Sequence, residues 1–327
     1  MADPGLTVIV GFYNLADLAP TTLASIGRAI DARVRVLLID DGSGDRTPDL
    51  LARAARELPG ARMIRHDHPL GASAVRNRGV AETETAYLTF LDGDDYVAPG
   101  YFGALLDDIT AKAVPMLRCD HVVVTGRDRV IRRIPSQLRQ GRTGSPRTQI
   151  LPAAQQTSID HPYAWAGIYH RELAEAGLLT FDEHLHTAED RPWIWRLHLA
   201  VPQMAIAEPV GLFYRRDLPG SLSRVVDSRQ FDFVPAMEQA IALVLADPEA
   251  DRFLPKVLRR YCELTLRHLS LLSRYPRPLR RSFLGLVGGS LARCPQPALD
   301  DVLAELAPER RSRLTRLIAE HTPQESR

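Results

Sequence analysis

Short apolar runs alternate, at near-constant spacing, with stretches of helical period through the first third of the chain, and this alternation limits the fold more than anything else in the sequence. The runs "LTVIVG" (6–11), "VRVLLID" (34–40), "ARMIRH" (61–66) and "AYLTFLD" (86–92) are rich in β-branched and aliphatic residues and read as strands. Between them, near 17–30, 46–58 and 71–83, apolar residues recur at helical spacing. Such alternation predicts an α/β fold with a mainly parallel central sheet flanked by helices. Ligands of these sheets gather at the carboxyl ends of the strands. Three of those ends are polar: Tyr13 and Asn14 follow the first run, "DDGSGD" (40–45) the second and "DGDD" (92–95) the fourth.

The remaining pattern sets the domain organisation. From 114 to 226 it is less regular: "PMLRCDHVVVTGRDRVIRRI" reads as two strands around a Gly126 turn, "HTAEDRPWIWRLHLAV" (186–201) as a helix and "MAIAEPVGLFYRR" as two short strands. Beyond Asp227 only helical spacing remains, with helices expected near 278–292 and 298–320. The expected division is an α/β catalytic domain over 1–226, regular over 1–113 and less regular over 114–226, followed by a C-terminal all-helical region over 227–327. At 327 residues and 45% apolar content the chain can bury the core this requires.

A formal net charge of +1 gives no reason to expect a nucleic-acid partner. Cys119, Cys262 and Cys294 are odd in number and far apart, which suits free buried thiols rather than a disulfide framework or a zinc site. The amino terminus has no basic n-region, and no segment reaches about 18 consecutive apolar residues, so a cytoplasmic location is expected.

The carboxylates need a counter-charge. Asp92, Asp94 and Asp95 crowd like charge at the end of a buried strand, where repulsion and desolvation both oppose it. A calcium loop starting at Asp92 fails on the letters, because Tyr96, Val97 and Gly103 stand where an oxygen ligand, a glycine and a glutamate belong. A strand-end Asp-x-Asp suits Mn2+ or Mg2+ held largely by substrate phosphates. Neither G-x-G-x-x-G after the first strand nor G-x-x-x-x-G-K-[ST] anywhere is present, which removes the main support for dinucleotide and P-loop readings. At the second strand end, Asp45 suits the start of the following helix, but a cap explains one acid and not the pair Asp40 and Asp41.

Taken together, "VIVGFYN", "LLIDDGSGDRT", "GASAVRNRG", "AYLTFLDGDDYVAPGYF" and "HTAEDRPWIWRL" resemble, in order, the motifs of inverting family 2 glycosyltransferases of the GT-A fold, over residues 6–226. The resemblance implies transfer of a sugar from a nucleotide-diphosphate donor, a UDP-sugar by preference, to a hydroxyl acceptor, with 1–113 as the nucleotide-binding half and 114–226 as the acceptor half. It implies that Tyr13 lies along the base, Asp41 reads it, Arg76 lies near the nucleotide, Asp92 contacts the ribose and Asp94 holds the metal, leaving Asp95 to local support or a cap. Asp190, with Glu189 beside it, would be the catalytic base. An inverting transfer needs one such carboxylate opposite the leaving group, and the helix dipole and Arg191 favour its anion.

Two departures matter. Gly11 stands where the family has a proline, and in "FYRRDLPGSLSR" Asp217 replaces a histidine, so Arg215, Arg216 and Ser221 are the candidates for closing over the diphosphate. His161, Tyr163, Trp165, Trp193 and Trp195 fall where the resemblance puts the acceptor pocket, with Trp165 and Trp193 as sugar platforms. No Q-x-x-R-W follows Asp190, which favours addition of single sugars over processive synthesis. The arginine-rich helical region, including Arg259, Arg260, Arg280 and Arg281, suits solvated faces or a dock for an anionic polymer of the cell surface, a lipid-linked acceptor or the inner membrane surface. Rival readings are a nucleotidyltransferase, which lacks its basic glycine-rich loop here, and a non-catalytic sugar-binding protein, against which the intact acids argue.

Overall fold

The computed structural model of the chain describes residues 3–216 and 226–321. In order its elements are β1 (Asp3–Phe12), α1 (Ala19–Ala29), β2 (Val34–Asp40), α2 (Thr47–Glu57), β3 (Ala61–Arg65), α3 (Ala72–Ala81), β4 (Thr85–Asp92), β5 (Tyr96–Val97), α4 (Tyr101–Lys112), β6 (Met116–Arg118), β7 (His121–Thr125) and β8 (Asp128–Arg132). There follow β9 (Gly167–His170), α5 (Glu172–Glu175), α6 (Asp190–Ala200), β10 (Met204–Ile206), β11 (Leu212–Arg215), α7 (Phe233–Leu245), α8 (Ala250–Ser270), α9 (Arg277–Ala292), α10 (Gln296–Ala304) and α11 (Pro308–His321).

The expected α/β alternation builds a seven-stranded sheet in the order β10-β6-β9-β4-β1-β2-β3. Only β9 runs antiparallel to its neighbours β4 and β6. In the central strand Leu6, Val8, Ile9, Val10 and Phe12 are all buried, as a strand covered on both faces requires. Pro20 and Pro48 occupy the first turns of α1 and α2, where a missing N–H breaks no helical bond. The register sets Gly11 beside Asp92 and Phe12 beside Asp40, so the three polar strand ends meet on one edge.

A second, four-stranded sheet in the order β5-β11-β7-β8 begins immediately after the acid cluster. Here the segment expected as two strands proves to be three. The chain breaks at Cys119–Asp120, because Asp120 is buried and accepts hydrogen bonds from Ile134 N at 2.8 Å and from both Arg139 terminal nitrogens at 2.9 Å. β6 thus joins the large sheet, while β7 and β8 form the hairpin around Gly126 in the small one.

Beyond Asp232 the described elements are all helical. The expected helix over 298–320 is two, α10 and α11, interrupted ahead of Pro308 because proline cannot continue a helix that precedes it. α8 is bolted to the preceding region through Asp160, which is almost fully buried. Its carboxylate accepts from Lys256 Nζ at 2.7 Å, Arg260 Nε at 2.9 Å and Thr157 N at 2.8 Å. Arg147 makes a second tie, to Asp247 at 2.7 Å. Cys119, Cys262 and Cys294 are free and buried, as expected. Among the described residues no helix is long and apolar enough to cross a membrane.

Candidate active site

The site is built first from backbone. Gly93 N donates to Gly11 O at 2.9 Å, and Thr22 Oγ1 donates to Gly93 O at 2.9 Å and to Asp95 O at 2.7 Å, clamping the acid turn against β1 and α1. A Cβ on Gly93 would meet Gly11 O and the Phe12 ring at 2.5 Å, so only glycine fits between the acids. Gly11 is just as crowded: a Cβ there would meet Val75 Cγ1 of α3 at 2.8 Å.

In that turn one carboxylate oxygen from each of Asp92, Asp94 and Asp95 lies within 4.8 Å of the other two. Asp94 is pushed up to about 6 by burial and by Asp92. Asp95 is fully buried, and burial with the charges of Asp94 and Asp92 drives it well above the usual carboxylate range. Its Oδ1 accepts from Arg215 N at 2.7 Å, while its Oδ2 is buried with no partner among the described residues. An all-oxygen set in which burial and like charge raise Asp94 and Asp95, with one buried oxygen unpartnered among the described residues, fits a hard divalent cation. Asp95 gives local support by holding the backbone of Arg215, and its place beside Asp92 and Asp94 makes it a candidate ligand as well. The adjacent letters Asp94-Asp95 were the only signal of this, and a turn reading absorbs the second acid.

Opposite stands the acid pair. Ala188 adopts φ 62, a left-handed conformation strained for alanine, and this turn ends the preceding coil so that α6 begins at Asp190 rather than near 186. Arg76 on α3 joins the two acid groups: its Nη1 donates to Glu189 Oε1 at 2.5 Å and its Nη2 to Asp92 Oδ1 at 3.3 Å. The guanidinium lies 5.3 Å from the centre of the Phe181 ring. Asp190 is pushed up to about 6, because burial and Glu189 outweigh Arg191 and Arg76. Arg191 favours the anion, as expected, but burial and Glu189 oppose it.

At the second strand end Asp41 is committed to its own loop. It bonds His66 Nδ1 at 2.8 Å through Oδ1, and accepts from Leu70 N at 2.9 Å and Gly71 N at 2.8 Å, fixing the approach to α3. Asn14 bridges to the same edge, accepting from Gly44 N at 2.9 Å, and Tyr13 beside it is 49% exposed. Asp45 accepts from Thr47 N at 2.9 Å at the start of α2.

On the acceptor side the tryptophan platforms give way. Trp193 is 0% exposed, stacked on Phe181 at 5.1 Å and edge-on to Tyr169 at 5.3 Å, so it offers no face to a sugar. Trp165, also buried, stacks under Tyr163 at 4.7 Å. Tyr163 and Tyr214 are only partly buried, with ring centres 6.0 Å apart. His161 is half-buried, and its carbonyl accepts from Arg118 Nη2 at 2.6 Å. Burial holds the His161 imidazole down to about 4, so it is neutral near pH 7. Arg118 and Tyr214 were not singled out from sequence, because nothing local distinguishes them. Arg215 lies 4.9 Å over the Tyr96 ring, Arg216 is exposed, and Asp217 and Ser221 lie outside the described residues.

Known proteins resemble this chain in sequence and in fold. The chain is 28% identical over 238 residues to the uncharacterized glycosyltransferase EpsJ of Bacillus subtilis (strain 168), covering 72% of this chain and 66% of that protein. It is 29% identical over 243 residues to the succinoglycan biosynthesis protein ExoO of Rhizobium meliloti (strain 1021), covering 72% and 68%. The chain thus spans about two thirds of the length of each. The crystal structure of S. aureus TarS 1–349 in complex with UDP-GlcNAc superposes with a TM-score of 0.76 at 18% identity, over 97% of this chain and 88% of that one. The same fragment in complex with UDP gives 0.75. The fold is therefore of the GT-A kind, with a helical region after it. Since the pattern of glycosyl transferase family 2 matches residues 7–177, more than half the chain, the protein belongs to the family 2 glycosyltransferases.

Proposed function

We propose that the chain moves a single sugar, with inversion, from a UDP-sugar to a hydroxyl of a cell-surface polymer, with Asp190 as the base. The observation that carries this reading is the Arg76 bridge, which ties Glu189 at the head of α6 to Asp92 in the acid turn. A base and a cation site held in one rigid frame are what a displacement at a sugar carbon requires. Asp190 takes the proton of the attacking hydroxyl, Glu189 holds Arg76 in place, and Arg76 and Arg215 supply positive charge near the departing diphosphate. Asp92, Asp94 and Asp95 would hold a divalent ion, which supplies Lewis-acid neutralisation of the charge growing on the leaving group. Tyr13, with half its surface open beside Asp41, is the candidate face for the base. UDP as the nucleotide is supported by the TarS complexes, and a polymer acceptor by the role in the name of ExoO.

The test is Asp190→Asn. Transfer should fall by about two to four orders of magnitude, while UDP still raises the melting temperature as it does for the native chain. Full transfer activity in Asp190→Asn would remove the base assignment.

A further inference from the structure

Strand register places an uncovered strip beside the candidate site. Tyr214 of β11 pairs with Val123 of β7, and Val123 pairs with Val130 of β8, so the three side chains form one row on one face of the small sheet. On that same face Arg132 pairs with His121, which is buried against Trp165, one row to one side, and the exposed Thr125 and Asp128 pair one row to the other. The row begins at the site, because Tyr214 touches Tyr163 and precedes Arg215, whose N–H holds Asp95. It ends in solvent: Val130 is 50% exposed, and Val123 is only partly covered. Two strand spacings give the strip a length of about 10 Å. Arg132 and Arg216 flank it, both exposed and neither paired with a carboxylate among the described residues.

We propose that this face is a track for the acceptor: it takes an extended chain of sugar or polyol units bearing regularly spaced anionic groups, laid from the acid pair over Tyr214 and Val123 toward Arg132. This rests on the transferase reading of the site. The C–H faces of the units cover the tyrosine and valines, and the anions meet guanidinium groups, which bind phosphate or carboxylate through paired hydrogen bonds. Continuity with the site, and an Arg132 that has no carboxylate partner among the described residues and stands at the opposite edge of this face from its one acid, Asp128, argue for a polyanionic substrate chain over a second protein copy or a bilayer.

Fluorescently labelled poly(glycerol phosphate) and hyaluronan, the phosphate and carboxylate versions of such a chain, are titrated against the full protein by anisotropy at low and high salt. At least one should bind, more weakly at high salt, and Arg132→Glu and Val130→Asp should each weaken it about tenfold. UDP should still raise the melting temperature of both variants, which reports an intact fold. The proposal is overturned if the native chain binds neither polymer, if the variants bind as the native chain does, or if only anionic phosphatidylglycerol vesicles are bound. A change of oligomeric state in Val130→Asp without loss of polymer binding would assign the strip to self-association instead. UDP-sugar hydrolysis without acceptor reads the transferase reading alone, so a chain that hydrolyses donor but ignores polymer loses the track and keeps the site.

Discussion

Two buried carboxylates on either side of the acceptor region, Asp95 and Asp160, are treated in opposite ways by the fold. Asp160 lies between α8 and the loop before His161, where Lys256, Arg260 and a backbone N–H satisfy both of its oxygens. Burial raises its pKa, but the two cations win and hold it below the usual carboxylate value. Asp95 is as deeply buried and receives one backbone N–H, leaves one oxygen without a partner among the described residues, and faces two more acids. The same residue type at the same depth is neutralised where it joins two parts of the molecule and left frustrated at the end of β4. Frustration of this kind weakens the resting protein and is useful only if a cation arrives to relieve it.

Removing each carboxylate tests that contrast most directly. Asp160→Ala leaves Lys256 and Arg260 facing each other, and breaking a buried pair of this kind costs about 3–5 kcal/mol. The melting temperature should fall by roughly 10 °C. Asp95→Asn removes charge from a cluster that repels itself, so its melting temperature should hold or rise in metal-free buffer. Equal losses in the two variants, measured by calorimetry, would erase the distinction between bolt and site.

A smaller effect sharpens the comparison from the side of the cation. Mn2+ should raise the melting temperature of the native chain, since a ligand at a hundredfold excess over its Kd stabilises the folded state by about 2.7 kcal/mol. Asp94→Asn should abolish that response while raising the metal-free melting temperature by a few degrees, because it removes a carboxylate that burial and Asp92 hold near 6. Lys256→Met should keep the response to Mn2+ despite its lower stability. An undiminished metal shift in Asp94→Asn would detach the acid turn from metal binding.

The two regions also differ in how far the sequence discloses them. Asp41, Asp92 and Asp94 are legible because each ends an apolar run, and a parallel sheet brings all such ends to one edge. Helix α6 is legible as a periodic segment, but its first residue is set by the left-handed turn at Ala188, which no composition signals. Trp193 is misread as a platform because a tryptophan on a helix carries no label for the face it turns to the core. Tyr214 and Arg118 are invisible for a further reason. The pairing of Tyr214 with Val123 joins strands far apart in the chain, and Arg118 is ordinary in sequence until Tyr169 and the His161 carbonyl close around it. Local pattern fixes the edge of the sheet, while long-range register builds the acceptor side.

The smallest effect concerns the pair in which frustration and neutralisation meet. Glu189 is bridged to Arg76, yet it is also the second cause, after burial, of the rise of Asp190 to about 6. A base works only as the carboxylate, so kcat/KM should be full above that value and fall as pH drops through it. In Glu189→Gln the repulsion disappears and Arg76 is left with less competition for its charge. Both changes favour the Asp190 anion, so the acid limb should move to lower pH, by roughly one unit or less. Loss of the Arg76 anchor should lower the plateau rate at the same time, and the two effects separate because only the electrostatic one moves the limb. A limb that stays near pH 6 in Glu189→Gln would mean that burial, and not Glu189, raises Asp190, in contrast to Asp160, where cations outweigh burial.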